Sequence, residues 1–493
     1  MPKQRLLLDW IALDDSTSLP IYRQLYDQLR TAMLHGRLTA GCLLPSSRTL
    51  ARELGVSRNT VVNAYDQLIA EGYLETLGGS GTAVADLSLS NDIRESYRST
   101  ATDVKEAPAL SKCGIEVRRS LEEWPDLPDA VAFTPGLPAF DHFPIKKWVR
   151  LLAAQAQCMQ PEIASSNSHL GGYGPLREAL ASYLRTSRMV TCHPDQVLVV
   201  SSARAGFDVV CRLLVDPGSS CLMEEPGYIT AKDVMRAAGL RITPVPVDAE
   251  GLCILEGERS DPAARLAYVT PSHQYPMGVS LSASRRQQLI EWANRRNAWI
   301  VEDDYDSEFR FDSRPLATLQ GLDGGCRVLY IGTFSKVLFP SLRTAYVVVP
   351  RFLIPVFREA IHNMGREPPL HVQAALADFI NDGHFFTHIR RMRQIYKRRQ
   401  ASFVDSLKRH MGDRIPVERP PGGMQLVLNL PDEIPAAAAS ASAAAHGVHA
   451  RPLKLYAHTG AAPNALFLGF TAIPDQRIDP ETKTLASAIL GAE

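Results

Sequence analysis

Neither sign of charge is in excess: lysine plus arginine and aspartate plus glutamate both total 53 in 493 residues. A global positive field is therefore missing, and any hold on nucleic acid has to come from a local patch. Cysteine is sparse. Cys42, Cys113, Cys158, Cys192, Cys211, Cys221, Cys253 and Cys326 form no Cys-x-x-Cys pair and have no histidine at ligand spacing, which argues against a metal site and for reduced, mostly buried thiols. No segment reaches the ~18 uninterrupted apolar residues of a membrane span, and Leu6-Leu7-Leu8 is cut by Asp9, too soon for a secretory core. A cytoplasmic protein without a membrane partner is expected. Core material is ample, with 45% apolar and 22% charged residues, and the length exceeds what one core organises, so at least two domains are expected.

From residue 18 to 85 the text is helical and compact. Ile21, Leu25, Leu29, Met33 and Leu34 mark one face of a helix that Gly36 stops. Pro45-Ser46-Ser47 caps a second helix through Leu54, Gly55 forces a turn, and Ser57 caps a third helix reaching Glu71. Tyr73 to Leu77 and Thr82 to Val84 then read as two strands about the tip Gly78-Gly79-Ser80-Gly81. This is the order of a winged helix-turn-helix, in which Arg48, Ser57, Arg58, Asn59 and Thr60 suit base edges and phosphates, and the Ser80-Gly81 tip suits the minor groove. The alternative is a protein-contact domain on which Arg58 is a solvated charge. The runs Pro20-Ile21-Tyr22-Arg23-Gln24-Leu25, Leu44-Pro45-Ser46-Ser47-Arg48 and Leu54-Gly55-Val56-Ser57-Arg58-Asn59-Thr60-Val61 resemble a GntR-type head. The resemblance implies that a dimer binds operator DNA through these residues. Acids equal bases between Met1 and Ala85, so affinity is expected to depend on a few placed arginines.

Residues 86–129 turn polar and lose periodicity, which reads as a linker. Residues 130–493 read as one large α/β domain. Apolar runs at Gln196 to Ser201, Leu266 to Thr270, Trp299 to Glu302 and Val328 to Gly332 alternate with helical segments, as in a parallel sheet, and Pro435 to Ala445 reads as an alanine-rich helix.

Lys336 follows the Val328 to Gly332 strand at the end where open α/β sheets bind ligands, with Ser335 and Arg343 beside it as phosphate partners. Glu302-Asp303-Asp304-Tyr305-Asp306 ends another apolar strand. Buried, such a cluster needs a positive partner; the alternative is an exposed acidic loop. An amine, an acid, a hydroxyl donor and anion partners are what pyridoxal 5'-phosphate requires of a protein. With Gly171-Gly172-Tyr173-Gly174-Pro175, Asp216-Pro217-Gly218, Glu225-Pro226-Gly227-Tyr228 and Pro271-Ser272-His273-Gln274 in order, the chain from Phe133 onward resembles the fold-type I aminotransferase domain of MocR/GabR-type regulators. The resemblance implies a Schiff base on Lys336, Asp303 at the pyridine nitrogen, Tyr305 at the phenolate oxygen and Tyr228 stacked on the ring. It places His273 nearby, the amides of Ala203 and Arg204 at the phosphate, and the site at a homodimer interface.

Two departures bear on turnover. Ser201-Ser202-Ala203-Arg204-Ala205-Gly206 lacks the glycine and paired glutamines usual in the phosphate loop, and Phe467 stands where many aminotransferases place the arginine for the substrate carboxylate. Thr230 replaces an arginine that helps bind the effector in the γ-aminobutyrate-responsive member, so that effector is not expected. Arg451 is a substitute carboxylate partner or a surface-strand residue. The expected function is a transcriptional regulator that senses an amine, an amino acid or pyridoxal phosphate through aldimine exchange on Lys336, without efficient turnover; the alternative is an active aminotransferase with an accessory head.

Overall fold

Three short helices and a wing form the first folded unit of the computed structural model, which describes residues 10–14, 17, 19–77, 81–86, 109–123, 132–158, 169–311 and 317–491. Helix α1 (Ile21–Leu34) buries Leu25, Tyr26, Leu29 and Met33 against α3 (Arg58–Ala70), which contributes Val61, Ala64, Tyr65 and Leu68. Between them α2 (Ser47–Leu54) is capped by Ser46, whose hydroxyl accepts from Thr49 N, and α3 by Ser57, whose hydroxyl accepts from Thr60 N at 3.1 Å. The wing has three strands where the sequence showed two. β2 (Leu74–Leu77) and β3 (Gly81–Val84) pair antiparallel, and β1 (Leu43–Leu44), too short to carry a period, joins the free edge of β3. Ser80, expected at the wing tip, lies outside the described residues.

The chain divides into two units, Met1–Ala109 and Leu110–Glu493. Within the stretch read as a linker, Lys112–Glu123 is helical. Ser111 accepts from Gly114 N and starts it, but Ile115 and Val117 remain exposed, so no apolar stripe advertises this helix in the sequence. It packs against the helix Ile229–Ala237.

The large unit holds an eight-stranded sheet of β4 (Val197–Val200), β5 (Ser220–Glu225), β6 (Arg241–Asp248), β7 (Gly251–Leu252), β8 (Leu266–Val269), β9 (Trp299–Asp304), β10 (Val328–Thr333) and β11 (Ala345–Val348). Its spatial order is β4-β11-β10-β9-β8-β5-β6-β7. Strands β6, β5, β8, β9 and β10 run parallel, whereas β11 is antiparallel to both β10 and β4. Alternation along the strands feeds two cores. Val197, Val199, Tyr330 and Val348 pack with Leu180, Leu184 and Phe379 on one face; Leu198, Val200, Leu329, Ile331 and Val347 pack with Phe207 and Val210 on the other. A second sheet, β12 (Gln425–Asn429), β13 (Arg451–Pro452) and β14 (Ala465–Gly469) in the order β12-β14-β13, is covered by the helices His384–Met411 and Ile478–Leu490. The alanine-rich run is the helix Ala436–Ala445. Among the described residues no helix is long and apolar enough to cross a membrane.

Gly206 shows how closely one layer lies on the next. It sits in the helix Ala203–Leu214, and a Cβ there would stand 2.9 Å from Val347 Cγ2 and 3.4 Å from Ile331 Cδ1. The glycine lets the helix approach β10 and β11 and so fixes where its first turn ends up. Gly206→Ala is expected to destabilise the large unit by about 1–3 kcal/mol through overpacking, read as a lower denaturant midpoint of the full chain.

Candidate functional site

The carboxyl ends of the parallel strands and the first turn of the helix Ala203–Leu214 surround a cavity of about 440 Å³. Its wall includes Ser202, Ala203, Arg204, Tyr228, Thr270, Tyr275, Asp303, Tyr305, Ser335, Lys336 and Arg343. A larger cavity of about 750 Å³, lined by residues such as Arg119, Lys232, Lys454 and His458, contains neither Lys336 nor the acidic run. Lys336 and Asp303 face each other in the smaller one.

Lys336 follows β10 on a turn and reaches back to Gly136, whose carbonyl accepts from Lys336 Nζ at 2.9 Å. Gly136 has φ +70°, and a Cβ on it would come within 2.6 Å of the amine nitrogen, so only glycine leaves room here. Burial pushes the Lys336 amine down to about 8, against the opposing pull of Asp306 and Asp303. A neutral amine is thereby accessible near neutral pH.

Asp303 lies at the end of β9 with its side chain on the cavity, and burial pushes its carboxyl up to about 7. Its Oδ2 accepts from the Tyr268 hydroxyl at 2.6 Å, while Oδ1 is buried without a partner. The neighbouring acids point elsewhere. Glu302 accepts from the amides of Leu319 and Gln320, both at 2.9 Å, and Asp304 accepts from the Tyr330 hydroxyl at 2.5 Å with Arg188 Nε 3.6 Å away. The run is buried throughout, not an exposed acidic loop.

At the other end of the cavity Ser202 caps the helix Ala203–Leu214, its hydroxyl accepting from Ala205 N at 3.1 Å. The first-turn amides of Ala203 and Arg204 are thus at a helix N-terminus, with Ser335 and Arg343 on the same wall. Arg343 takes a left-handed conformation, φ +50°, after the short turn Pro340–Leu342. The Arg204 guanidinium donates to Thr230 at 3.3 Å and also hydrogen-bonds Tyr228. Amides plus two cations suit a dianion.

Aromatic rings close the remaining side. Tyr275 meets Tyr228, Tyr305, Tyr456 and Phe467 edge-on at centroid distances of 5.1 to 5.7 Å. Phe467, in β14, stands directly opposite Arg451 of β13. Arg451 is not on the cavity wall; its guanidinium hydrogen-bonds Tyr456, and its charge is close enough to oppose protonation of Lys336. His273 is also off that wall. It sits behind Tyr305, Nδ1 2.8 Å from Asp306 and 3.1 Å from the Tyr305 hydroxyl.

In the head, Arg48, Ser57, Arg58, Asn59 and Gly81 are exposed and Thr60 is half-buried, its hydroxyl 2.9 Å from that of Ser57. Sequence reasoning missed Gly136, Tyr268, Gln425 and the part played by Asp306. Only Gly136 carried a signal, as the glycine of the turn-prone Thr134-Pro135-Gly136-Leu137-Pro138. The others are separated from Lys336 by long stretches of chain and meet it through the sheet.

Comparison with known families and structures agrees with this architecture. Residues 21–84 match "Bacterial regulatory proteins, gntR family", and residues 134–464 match "Aminotransferase class I and II". The probable rhizopine catabolism regulatory protein MocR of Rhizobium meliloti is 41% identical, over 98% of this chain and 96% of its own length. The HTH-type pyridoxine biosynthesis transcriptional regulator PdxR of Corynebacterium glutamicum is 32% identical, over 93% and 94%. Among solved structures, the multiple substrate aminotransferase of Thermococcus profundus superposes with a TM-score of 0.68 at 26% identity, covering 78% of this chain and 98% of that one. The aminotransferase class I and II fold implies binding of pyridoxal phosphate, and the gntR-type head implies binding of DNA. The chain belongs to the MocR-type transcriptional regulators of the GntR family, in which a winged-helix head precedes an aminotransferase class I and II domain.

Proposed function

We propose that residues 130–493 bind pyridoxal 5'-phosphate at Lys336 and report on a small amine, an amino acid or pyridoxal phosphate itself to DNA-reading heads at residues 18–85, joined through residues 86–129. The observation that carries this reading is the convergence of Lys336, Asp303 and a two-arginine anion cradle on one cavity of about 440 Å³.

The residues fit the cofactor. Asp303 Oδ1, buried without a partner, suits a ring N–H, and its raised carboxyl ionises readily once a positive ring nitrogen faces it. Tyr228 offers a ring face and Tyr305 a hydroxyl donor. Ser335, Arg343 and the amides of Ala203 and Arg204 suit the phosphate. When bound, pyridoxal phosphate supplies an aldehyde carbon that exchanges one amine for another. Lys336 and an effector amine then compete for the same partner, and the loser's charge and position change. That difference shifts the heads only if it is worth more in one arrangement than in the other.

In this reading Arg451 holds an effector carboxylate, taking over from the arginine that Phe467 displaces across the β13–β14 pair. Arg48, Ser57, Arg58, Asn59, Thr60, Ser80 and Gly81 face operator DNA in a cytoplasmic homodimer. The relatives' names, one for rhizopine catabolism and one for pyridoxine biosynthesis, make catabolic genes and cofactor-synthesis genes the two target classes to test. A second reading, aminotransferase turnover, is favoured by the retention of Lys336, Asp303 and Tyr305 in one cavity. Steady keto-acid release from amino acids would establish it; a spectral change that forms and stops supports sensing.

Covalent attachment of pyridoxal phosphate requires the neutral amine, so its rate is expected to rise about tenfold per pH unit up to about pH 8 and level off above. Lys336→Ala is expected to abolish the borohydride-trapped mass adduct. Footprinting of upstream DNA is expected to give protection that Arg58→Ala removes, at a cost of about 1–3 kcal/mol in operator affinity. Arg451→Gln is expected to weaken the response to an amino acid tenfold or more while sparing the decarboxylated amine with the same side chain; equal losses for both ligands would remove Arg451 from the effector site.

A further inference from the structure

Tyr305 is hydrogen-bonded from behind by two groups that the sequence did not connect to it. Gln425, in β12, donates from Nε2 to the Tyr305 oxygen at 3.2 Å. His273 Nδ1 stands 3.1 Å from the same oxygen and 2.8 Å from Asp306 Oδ2, while His273 Nε2 is buried without a partner.

The tautomer follows from this wiring. A proton on Nε2 alone would bury an unpaired N–H and leave Asp306 facing a bare nitrogen; a proton on Nδ1 is given to Asp306 and shared with Tyr305. Turning the ring over would put Cδ2 where Nδ1 stands and forfeit the contacts to both Asp306 and Tyr305. A Cβ on Gly423 would overlap it and one on Gly278 would come within 3.1 Å of Nε2, so the two glycines enclose the ring closely. Space beside it amounts to about 10 Å³, next to Ser280 and Arg310.

A tyrosine oxygen accepts two hydrogen bonds and donates one. Both acceptor positions on Tyr305 are taken by N–H groups, and among the described residues no acceptor takes its hydroxyl proton. Tyr305 also lines the cavity that holds Lys336 and Asp303. We infer that His273 and Gln425 are positioning residues that commit the Tyr305 hydroxyl to donate into the cavity, toward an oxyanion of the ligand bound there. Asp306 holds the His273 tautomer and thereby belongs to the same device. The inference rests on the reading of the cavity as a pyridoxal phosphate site, where the oxyanion is the cofactor's phenolate.

A donor on the phenolate stabilises its negative charge without the proton it otherwise shares with the neighbouring nitrogen, so it lowers the pH at which the bound cofactor's absorbance changes. Loss of the donor raises that midpoint. Other charged and titratable groups face Tyr305: Asp303, Asp306, Glu224 and Tyr275 around its ring, Lys336 across the cavity and Arg310 beyond His273. All stay in place in the variants chosen.

The test is a pH titration of the absorbance of the full chain loaded with pyridoxal phosphate. Tyr305→Phe is expected to raise the midpoint by roughly 1–2 pH units, the worth of one hydrogen bond to a charged group. His273→Ala and Gln425→Glu, the latter placing an acceptor where a donor stood, are expected to shift it in the same direction. Tyr305→Phe/His273→Ala is expected to shift no further than Tyr305→Phe alone, and His273→Asn, which returns an N–H to the Nδ1 position, to restore the wild-type midpoint. A wild-type midpoint in His273→Ala and Gln425→Glu beside a shifted one in Tyr305→Phe overturns the inference and leaves the cofactor reading standing, as does additivity in the double variant. A wild-type chain that takes up no pyridoxal phosphate takes both down.

Discussion

Four carboxyls, those of Glu302, Asp303, Asp304 and Asp306, are buried within five consecutive residues, and the large unit is organised around their separation. Left facing one another in low dielectric they would repel and stay protonated. Strand geometry eases the repulsion, because β9 sends Glu302 and Asp304 to one face and Asp303 to the other, while burial still pushes Glu302 and Asp303 up to about 7. Each side chain then meets its own donors. Backbone amides serve Glu302, the Tyr330 hydroxyl and Arg188 serve Asp304, Tyr268 serves Asp303, and His273 serves Asp306. Arg188 continues to Glu308 at 2.6 Å, which also accepts from Tyr183, so the far face is a connected polar network, in which Arg188 Nε and Asp304 Oδ1 are buried without a hydrogen-bond partner. Asp303 alone retains a buried oxygen without a partner on the cavity. The network ties down the strand end and leaves the Asp303 oxygen facing the cavity.

Lys336 depends on the same arrangement. Its amine is neutralised in part by burial and held charged in part by Asp306 and Asp303, so a modest change in the cavity shifts its balance. Such poise serves catalysis and sensing alike. What separates the two is the substrate side, where this chain has Phe467 within a ring of tyrosines and Thr230 accepting from Arg204. Arg204 is thereby drawn toward Tyr228. The cation nearest Phe467 in the sheet is Arg451, offset by one strand.

The head follows a simpler rule. Its core of Leu25, Leu29, Val61, Leu68 and Leu74 fixes three helices and a wing, and the serine caps at Ser46 and Ser57 set where the helices begin. Arg48, Arg58 and Asn59 are exposed because the opposite faces of their helices are occupied by that core.

Sequence alone determined the head's helices and the α/β character of the large unit, because each is tied to an apolar period or a cap; it also set Lys336 and the acidic run 302–306 at the ends of apolar strands, whereas Asp303, Tyr305 and Tyr228 were singled out within their segments by the family resemblance. It could not reveal the helix Lys112–Glu123, which buries little, or the antiparallel β11, since strand direction leaves no trace in composition. Tertiary structure decided that His273 stands behind Tyr305, that Gln425 and Tyr268 complete the support, and that Arg451 lies opposite Phe467. These depend on strand order and register, which bring together residues 16 to 120 positions apart, and on contacts that no periodicity encodes.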